Sequence, residues 1–384
     1  MLIGVDLRCL PADGAVGAGV AHAARALVQR MVSLSGTDMA WILYLPRGAT
    51  WELSGREQSV TLEQTAGSAL RRALREHRCN LLFVPSGAVA PGLAIPVIPW
   101  VHDVAIFQHP DWFAESFMRR VVTTRLFRRG LERARHILAV SEFTRRELME
   151  LLRLEATRIT VTGEGGDELL STLQGVDLER AKHAARARLV ARGLPHPFIL
   201  FLGTLEPRKN LPTLLEAWAR VSARFIQPTD LIIAGQDGWK LEAIQHALAA
   251  VRKNCLSSAT AGRVHRLISV SDQERRDLLL AAELVAIPSW YEGFGLVAVE
   301  AMQAGTAVVA SEVGAVPEVV GDAGWLLSAQ DVEAWSNVFL QLINDAPVRE
   351  QLAQAGKLRS QDMTWTRTAQ VVLNALMSGP MKIV

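Results

Sequence analysis

Arg208 and Lys209 stand side by side in "FLGTLEPRKNLPTLLEAW", residues 201–218, where an apolar stretch gives way at Gly203 to a short loop. A helical pattern follows from Asn210 or Pro212. A guanidinium grips two oxygens in a planar fork, an ammonium adds a mobile point charge, and the N–H groups of a helix start add more. Such a set suits a phosphate; a solvated loop pair is the plain alternative. The chain has only six lysines, none before Lys182, so one beside an arginine at a strand end is conspicuous.

A second constellation is "SWYEGFGLVAVEAM", residues 289–302, which carries Glu292 and Glu300 on either side of Gly293 and Gly295. Two carboxylates this close raise the question of acid/base chemistry on one bond. Along a continuous helix, eight positions span about 12 Å, whereas a glycosidase pair stands roughly 5 to 9.5 Å apart. The glycines place a loop before the helix, so convergence stays open, but a polar ligand with hydroxyls at two ends fits more naturally. Glu300 alone also reads as an ordinary helix-surface charge. In "PWVHDVAIF", His102 and Asp103 follow directly on a strand. An imidazole there can donate to a hydroxyl or handle a proton near neutral pH; a turn-stabilising pair is equally consistent. Gly17-Ala18-Gly19 begins like a dinucleotide fingerprint, but residue 22 is His and the pattern is not completed. That disfavours a nicotinamide enzyme and favours a loop entering a cleft.

These residues need elements to hold them. Short apolar strands alternate with amphipathic helical stretches almost throughout. "LIGVDL", "MAWILYL", "LLFVPS", "IPVIPWVHD", "HILAVS" and "RITVTG" form one series; "FILFLGT", "LIIAG", "VHRLISV", "LVAIPS" and "AVVAS" form another. Ser141 reads as the N-cap of "EFTRRELMELL", with Thr144 and Glu147 in the early turns. The alternation predicts α/β domains with parallel sheets, and "GEGGDELLSTLQGVD", residues 163–177, reads as the linker between them. At 384 residues two domains are the natural count. Gly17, His102, Gly203, Gly235 and Glu292 all fall at strand ends, where open α/β sheets hold ligands.

Composition removes other classes. Hydrophobic residues are 49% and charged residues 21%, as in globular proteins, and a formal net charge of +2 does not call for nucleic acid. Cys9, Cys79 and Cys255 lie far apart, which argues against a disulfide framework or a zinc site. The N-terminus lacks the features of a secretory signal and no uncharged run of 18 apolar residues occurs, so a soluble cytoplasmic protein is expected. Arg125, Arg129 and Arg133 recur every four residues, and Arg71, Arg75 and Arg78 form a similar stripe. Both are solvated helix faces by default; the rival is peripheral contact with an anionic membrane or a lipid-linked phosphate acceptor.

Taken together, the chain closely resembles the family-4 retaining glycosyltransferases of GT-B fold. "VHDVAIFQHPDWF", "VSEFTRREL", "GTLEPRKNLPTLLEAW", "LIIAGQDGW", "PSWYEGFGL…VEAM" and "GTAVVASEVGAVPEVVGDAG" appear in the family's order over nearly the whole chain. The resemblance implies two Rossmann-like α/β/α domains with parallel sheets facing a central cleft. An acceptor-side domain would occupy 1–170 and a nucleotide-sugar domain 171–365, with a helix in 366–384 crossing back to the first. It implies that Arg208 and Lys209 neutralise the donor diphosphate and that Glu292 accepts from donor-sugar hydroxyls. Phe294, Gly295 and Leu296 would offer backbone N–H groups, and Glu300 would bind the ribose. Gly203 would line the donor site, His102 would approach the transferred sugar, and Gly17 and Gly19 would bring their loop near the diphosphate. No cofactor and no metal are implied, and no Asp-x-Asp occurs.

Four positions depart from the family pattern: Val20-Ala21 replaces Arg-Tyr, Ile268 replaces a glycine near the nucleobase, and Val297 replaces a proline. The resulting expectation is a retaining hexosyl transfer, mannose favoured, from GDP-mannose or a UDP-hexose to a saccharide or lipid-linked saccharide. Its place would be polysaccharide or O-antigen assembly, at the inner face of the membrane if the arginine stripes bind there. The alternatives are a sugar-nucleotide epimerase of the same fold and an inactive nucleotide-sugar-binding subunit.

Overall fold

The computed structural model describes residues 1–12, 19–52, 54–62, 67–113, 117–166, 177–256 and 262–377. Gly17 and most of the expected linker, residues 167–176, lie outside these. The chain divides into two compact units. One comprises Met1–Pro110, Glu115–Gly165 and Thr364–Val384, the other Asp111–Ala114 and Gly166–Met363.

The first unit opens with β1 (Leu2–Asp6), α1 (Val20–Leu34), β2 (Ala40–Pro46) and β3 (Glu57–Leu62). It continues with α2 (Gly67–Glu76), β4 (Leu81–Val84), β5 (Val97–Val101), α3 (Ala105–Gln108) and α4 (Phe117–Arg133). β6 (Ile137–Ala139), α5 (Glu142–Leu152) and β7 (Ile159–Val161) complete its sheet. The seven strands run in the order β3-β2-β1-β4-β5-β6-β7, every pair parallel. Ser141 caps α5, its Oγ accepting from the Thr144 N–H at 2.9 Å, which satisfies a donor that the helix start leaves open.

The second unit opens with α6 (Leu178–Ala191), β8 (Phe198–Leu202), α7 (Leu211–Val221), β9 (Asp230–Ala234), α8 (Glu242–Leu256) and β10 (Val264–Leu267). Then come α9 (Asp272–Ala281), β11 (Leu284–Ile287), α10 (Leu296–Gln303), β12 (Ala307–Ser311), α11 (Val316–Val320) and β13 (Trp325–Leu327). α12 (Val332–Asn344) and α13 (Ala346–Arg359) end it. Its six parallel strands run β10-β9-β8-β11-β12-β13. β8, β9, β11 and β12 are buried along their whole length, as a parallel sheet covered on both faces requires. Trp218, Trp335, Phe201 and Phe339 pack the layer on one face. Each phenylalanine-sized side chain buried there contributes about 1.5–3 kcal/mol.

α14 (Trp365–Met377) belongs to the first unit, where it packs on α1. Trp365, 2% exposed, sets its ring edge-on to Trp100, whose Nε1 donates to Thr162 Oγ1.

Candidate active site

The strand order of the second unit reverses between β8 and β11, so the loops after these neighbouring strands part and leave a crevice at their carboxyl ends. Residues 203–210 form one loop and 288–295 the other. Asn210 sets the first loop's shape. It adopts the left-handed conformation (φ 50°), which asparagine tolerates better than most residues. Its buried Nδ2 donates to the carbonyls of Pro288 and Ala329, both at 2.9 Å. The Trp290 N–H donates to the Arg208 carbonyl at 2.8 Å, a second stitch between the loops.

The stitching brings Arg208, Lys209 and Glu292 together. Lys209 Nζ lies 2.6 Å from Glu292 Oε1, and Arg208 Nη1 lies 3.3 Å from Oε2. Ser289 Oγ also donates to Oε1 at 2.6 Å. Arg208 is aimed by Glu206, which accepts from its Nε and Nη2 at 3.1 and 2.8 Å, and by the Tyr291 carbonyl at 3.1 Å. Burial alone would push the Glu292 carboxyl up, but the charges of Lys209 and Arg208 and the Lys209 and Ser289 hydrogen bonds outweigh it and hold it down to about 2. Glu292 is therefore held in its ionised form near neutral pH. It accepts hydrogen bonds and has no proton to give.

The surrounding backbone is equally constrained. Gly203 follows β8, and a Cβ built there would lie 3.9 Å from Lys209 Cε. Gly295 is the N-cap of α10 at φ 98°, a region open to glycine, with no side-chain cap, and Leu296 is the first helical residue. The start of α10 thus presents its N–H groups without a side-chain competitor. Phe294 beside it is buried at 8% exposure. Gly314, at φ 58°, approaches from the loop after β12: a Cβ there would stand 2.2 Å from the Glu292 carbonyl oxygen.

Glu300 lies on α10 and is 2% exposed, so it is not a helix-surface charge. It takes a different partner from Glu292: Arg275 of α9, whose Nη2 lies 2.8 and 2.5 Å from its two oxygens. The two glutamates are thus held by separate cations. In the first unit, Gly19 precedes α1 at φ 55°. His102 follows β5 with both ring nitrogens facing acceptors: Glu164 Oε1 at 2.8 Å from Nδ1 and the Pro85 carbonyl at 2.8 Å from Nε2. The Pro85 carbonyl can only accept, so Nε2 carries a proton, and a second proton is shared between Nδ1 and Glu164. Burial lowers its pKa, but the Glu164 hydrogen bond and charge and the Pro85 carbonyl outweigh it, for a net rise. His102 thus keeps its charged form to higher pH than a free imidazole. Asp103 stabilises the turn, its Oδ1 accepting from the Ala105 N–H at 3.1 Å.

Glu206, Ser289, Glu164 and Arg275 were not legible as site residues. Glu206 and Ser289 lie inside the quoted motifs but have no chemistry of their own to mark them. Glu164 falls in the glycine-rich stretch read as linker, and Arg275 one turn beyond Ser271. Among the described residues, no group of three or more His, Cys, Asp or Glu is placed to hold a metal ion, and no helix is long and apolar enough to cross a membrane. What the second unit's crevice offers is a pair of cations and a helix start, suited to a phosphorylated ligand, beside a carboxylate suited to hydroxyls.

Two doubly wound parallel sheets, one with this charged set at its switch point, define an α/β protein of GT-B type. Residues 48–167 match the family model described as Glycosyltransferase Family 4, and residues 190–359 match that described as Glycosyl transferases group 1. The chain is 30% identical to O-antigen chain mannosyltransferase B of Escherichia coli, over 79% of this chain and 75% of that protein. Two solved structures share the fold. Sucrose-phosphate synthase from Thermosynechococcus elongatus superposes with a TM-score of 0.75 at 18% identity, covering 98% of each chain. WaaG, a glycosyltransferase involved in lipopolysaccharide biosynthesis, gives 0.73 at 16% identity, covering 99% of this chain and all of that one. The chain belongs to the family-4 glycosyltransferases.

Proposed function

We propose that the protein moves a hexose, with mannose favoured, from a nucleotide sugar to a hydroxyl of a saccharide or lipid-linked saccharide, keeping the anomeric configuration. The observation that carries this reading is the pairing of Lys209 and Arg208 with the buried Glu292 carboxylate at the switch point. Likeness to a mannosyltransferase of O-antigen chains supports the sugar and the pathway class. GDP-mannose is the first donor to test and a UDP-hexose the second.

In this reading the donor diphosphate lies against Lys209, Arg208 and the start of α10. The bond from the anomeric carbon to the phosphate oxygen breaks as negative charge builds on the leaving diphosphate, and the two cations stabilise that charge. Glu292 accepts from hydroxyls of the donor sugar, and Glu300 from the ribose. The acceptor oxygen bonds to the anomeric carbon on the face that the phosphate leaves, and its proton passes to a phosphate oxygen. Glu292 is already ionised and salt-bridged, so it serves as an anchor for the sugar. No metal or cofactor takes part.

α4 is proposed to meet the membrane that carries a lipid-linked acceptor. Val121, Val122 and Leu126 are exposed on it beside exposed Arg125, Arg129 and Arg133, a mixture suited to an anionic interface. Replacing the three arginines by alanine should abolish sedimentation with phosphatidylglycerol vesicles; unchanged sedimentation would remove this contact. The function itself is tested by a panel of nucleotide sugars scored by thermal shift and turnover. GDP-mannose or a UDP-hexose should raise the melting temperature and be consumed, with product of retained configuration by NMR and with EDTA lacking effect. Inverted product, or no response to any nucleotide sugar, would overturn the proposal.

A further inference from the structure

Glu300 is a carboxylate almost sealed from solvent, and a cation that pairs with it comes from another helix. α9 is set rigidly. Ser271 Oγ accepts from the Glu274 N–H at 3.3 Å while Glu274 Oε2 accepts from the Ser271 N–H at 2.8 Å, a reciprocal cap. Two carboxylates of α9 have their own cations: Glu274 pairs with Arg192, and Asp277 accepts from Arg188 Nε and Nη2 at 2.8 and 2.6 Å. Arg275, 14% exposed, reaches across to α10 and engages both oxygens of Glu300 through one nitrogen. Its Nε is buried with no acceptor among the described residues.

A plain tether between two helices would not be built this way. Apolar side chains of similar volume join buried helix faces without desolvating two charges or leaving an N–H unmet. The arrangement makes sense if the charge on Glu300 is what is needed. Without a cation, a carboxylate so buried takes up a proton or swings away.

We infer that Arg275 is a positioning residue for donor recognition: it keeps Glu300 ionised and oriented to accept from the ribose hydroxyls of the nucleotide. This rests on the ribose role given to Glu300 above. It adds a residue outside the cation-rich loop and outside every motif quoted from the sequence.

The test is ribose discrimination, measured by calorimetry on the full chain with UDP and GDP and their 2′-deoxy counterparts. A hydrogen bond to a charged acceptor corresponds to roughly 10- to 100-fold in affinity, so the wild type should prefer the ribonucleotide by about that factor. Arg275→Met should bring the ratio close to one. Arg275→Lys, which restores the charge, should return it to within about threefold of wild type. Should Arg275→Met not fold, Arg275→Gln takes its place in the same comparison. Arg275→Met with a lowered melting temperature but an intact ratio would mean a structural tether, and tighter nucleotide binding would mean competition for Glu300; either overturns the inference. Glu300→Ala separates the two levels. If it leaves discrimination intact, or if neither nucleotide binds the wild type, the ribose role itself fails. If it abolishes discrimination while Arg275→Met does not, only the role of Arg275 fails.

Discussion

Glu292→Gln isolates the charge at the centre of the site while keeping its shape. The carboxyl is held near 2 against an ordinary 4.5, since its two cations and the Ser289 hydroxyl outweigh the cost of burial. A depressed carboxylate contributes stability that is whole above its unfolded value and is lost as pH falls through its folded value. At about 1.4 kcal/mol per pH unit, the contribution is about 3 kcal/mol at pH 7 and falls to about 1 kcal/mol at pH 3. The cations left behind are mostly buried, with 18% of Arg208 and 16% of Lys209 exposed, and Arg208 keeps Glu206 as a partner. Urea unfolding of wild type and variant in parallel from pH 7 to pH 3 should show the gap closing as the solution is acidified. A gap below about 0.5 kcal/mol at pH 7, or one that stays constant to pH 3, would refute the reasoning. The same variant should lose about 10²-fold in kcat/KM, since a neutral amide accepts more weakly from sugar hydroxyls.

Lys209→Ala should lower kcat by about 10²–10³-fold with a smaller change in donor KM, the mark of an interaction that strengthens as the diphosphate leaves; unchanged turnover would sink the assignment. Glu164→Gln should move the His102 ring titration, followed by NMR, to lower pH. The raised His102 contributes stability below its unfolded value that is lost as pH rises through the folded one, so that alkaline loss should vanish in the variant; an unmoved titration would contradict the role of Glu164 in raising it. Gly314→Ala should cost about 2–4 kcal/mol and most of the activity, through a left-handed backbone and a clash with the Glu292 carbonyl. An alanine variant as stable and active as wild type would show that the loop yields freely.

Strand–helix alternation was legible because fully apolar strands between amphipathic helices have few solutions other than a covered parallel sheet. The charges of Arg208, Lys209 and Glu292 were legible as residue types at strand ends. Their meeting was not, because 83 positions separate Lys209 from Glu292. It depends on β8 and β11 being neighbours where the strand order reverses, and on Asn210 pinning one loop to the other. His102 shows the same limit more sharply. Its type and place at a strand end allowed a base, an acid or a turn residue, and the groups that raise its pKa are Glu164, 62 positions away, and a backbone carbonyl. Arg275 had nothing local to mark it, since a helix arginine is ordinary until the helix it faces carries a buried carboxylate. By itself, then, the sequence determined the layers, the strand-end location of the site and the chemical kinds within it, because periodicity and residue type are local properties. Which charge faces which, and so which groups stay ionised, was decided only by the tertiary structure, because burial and pairing depend on neighbours distant along the chain.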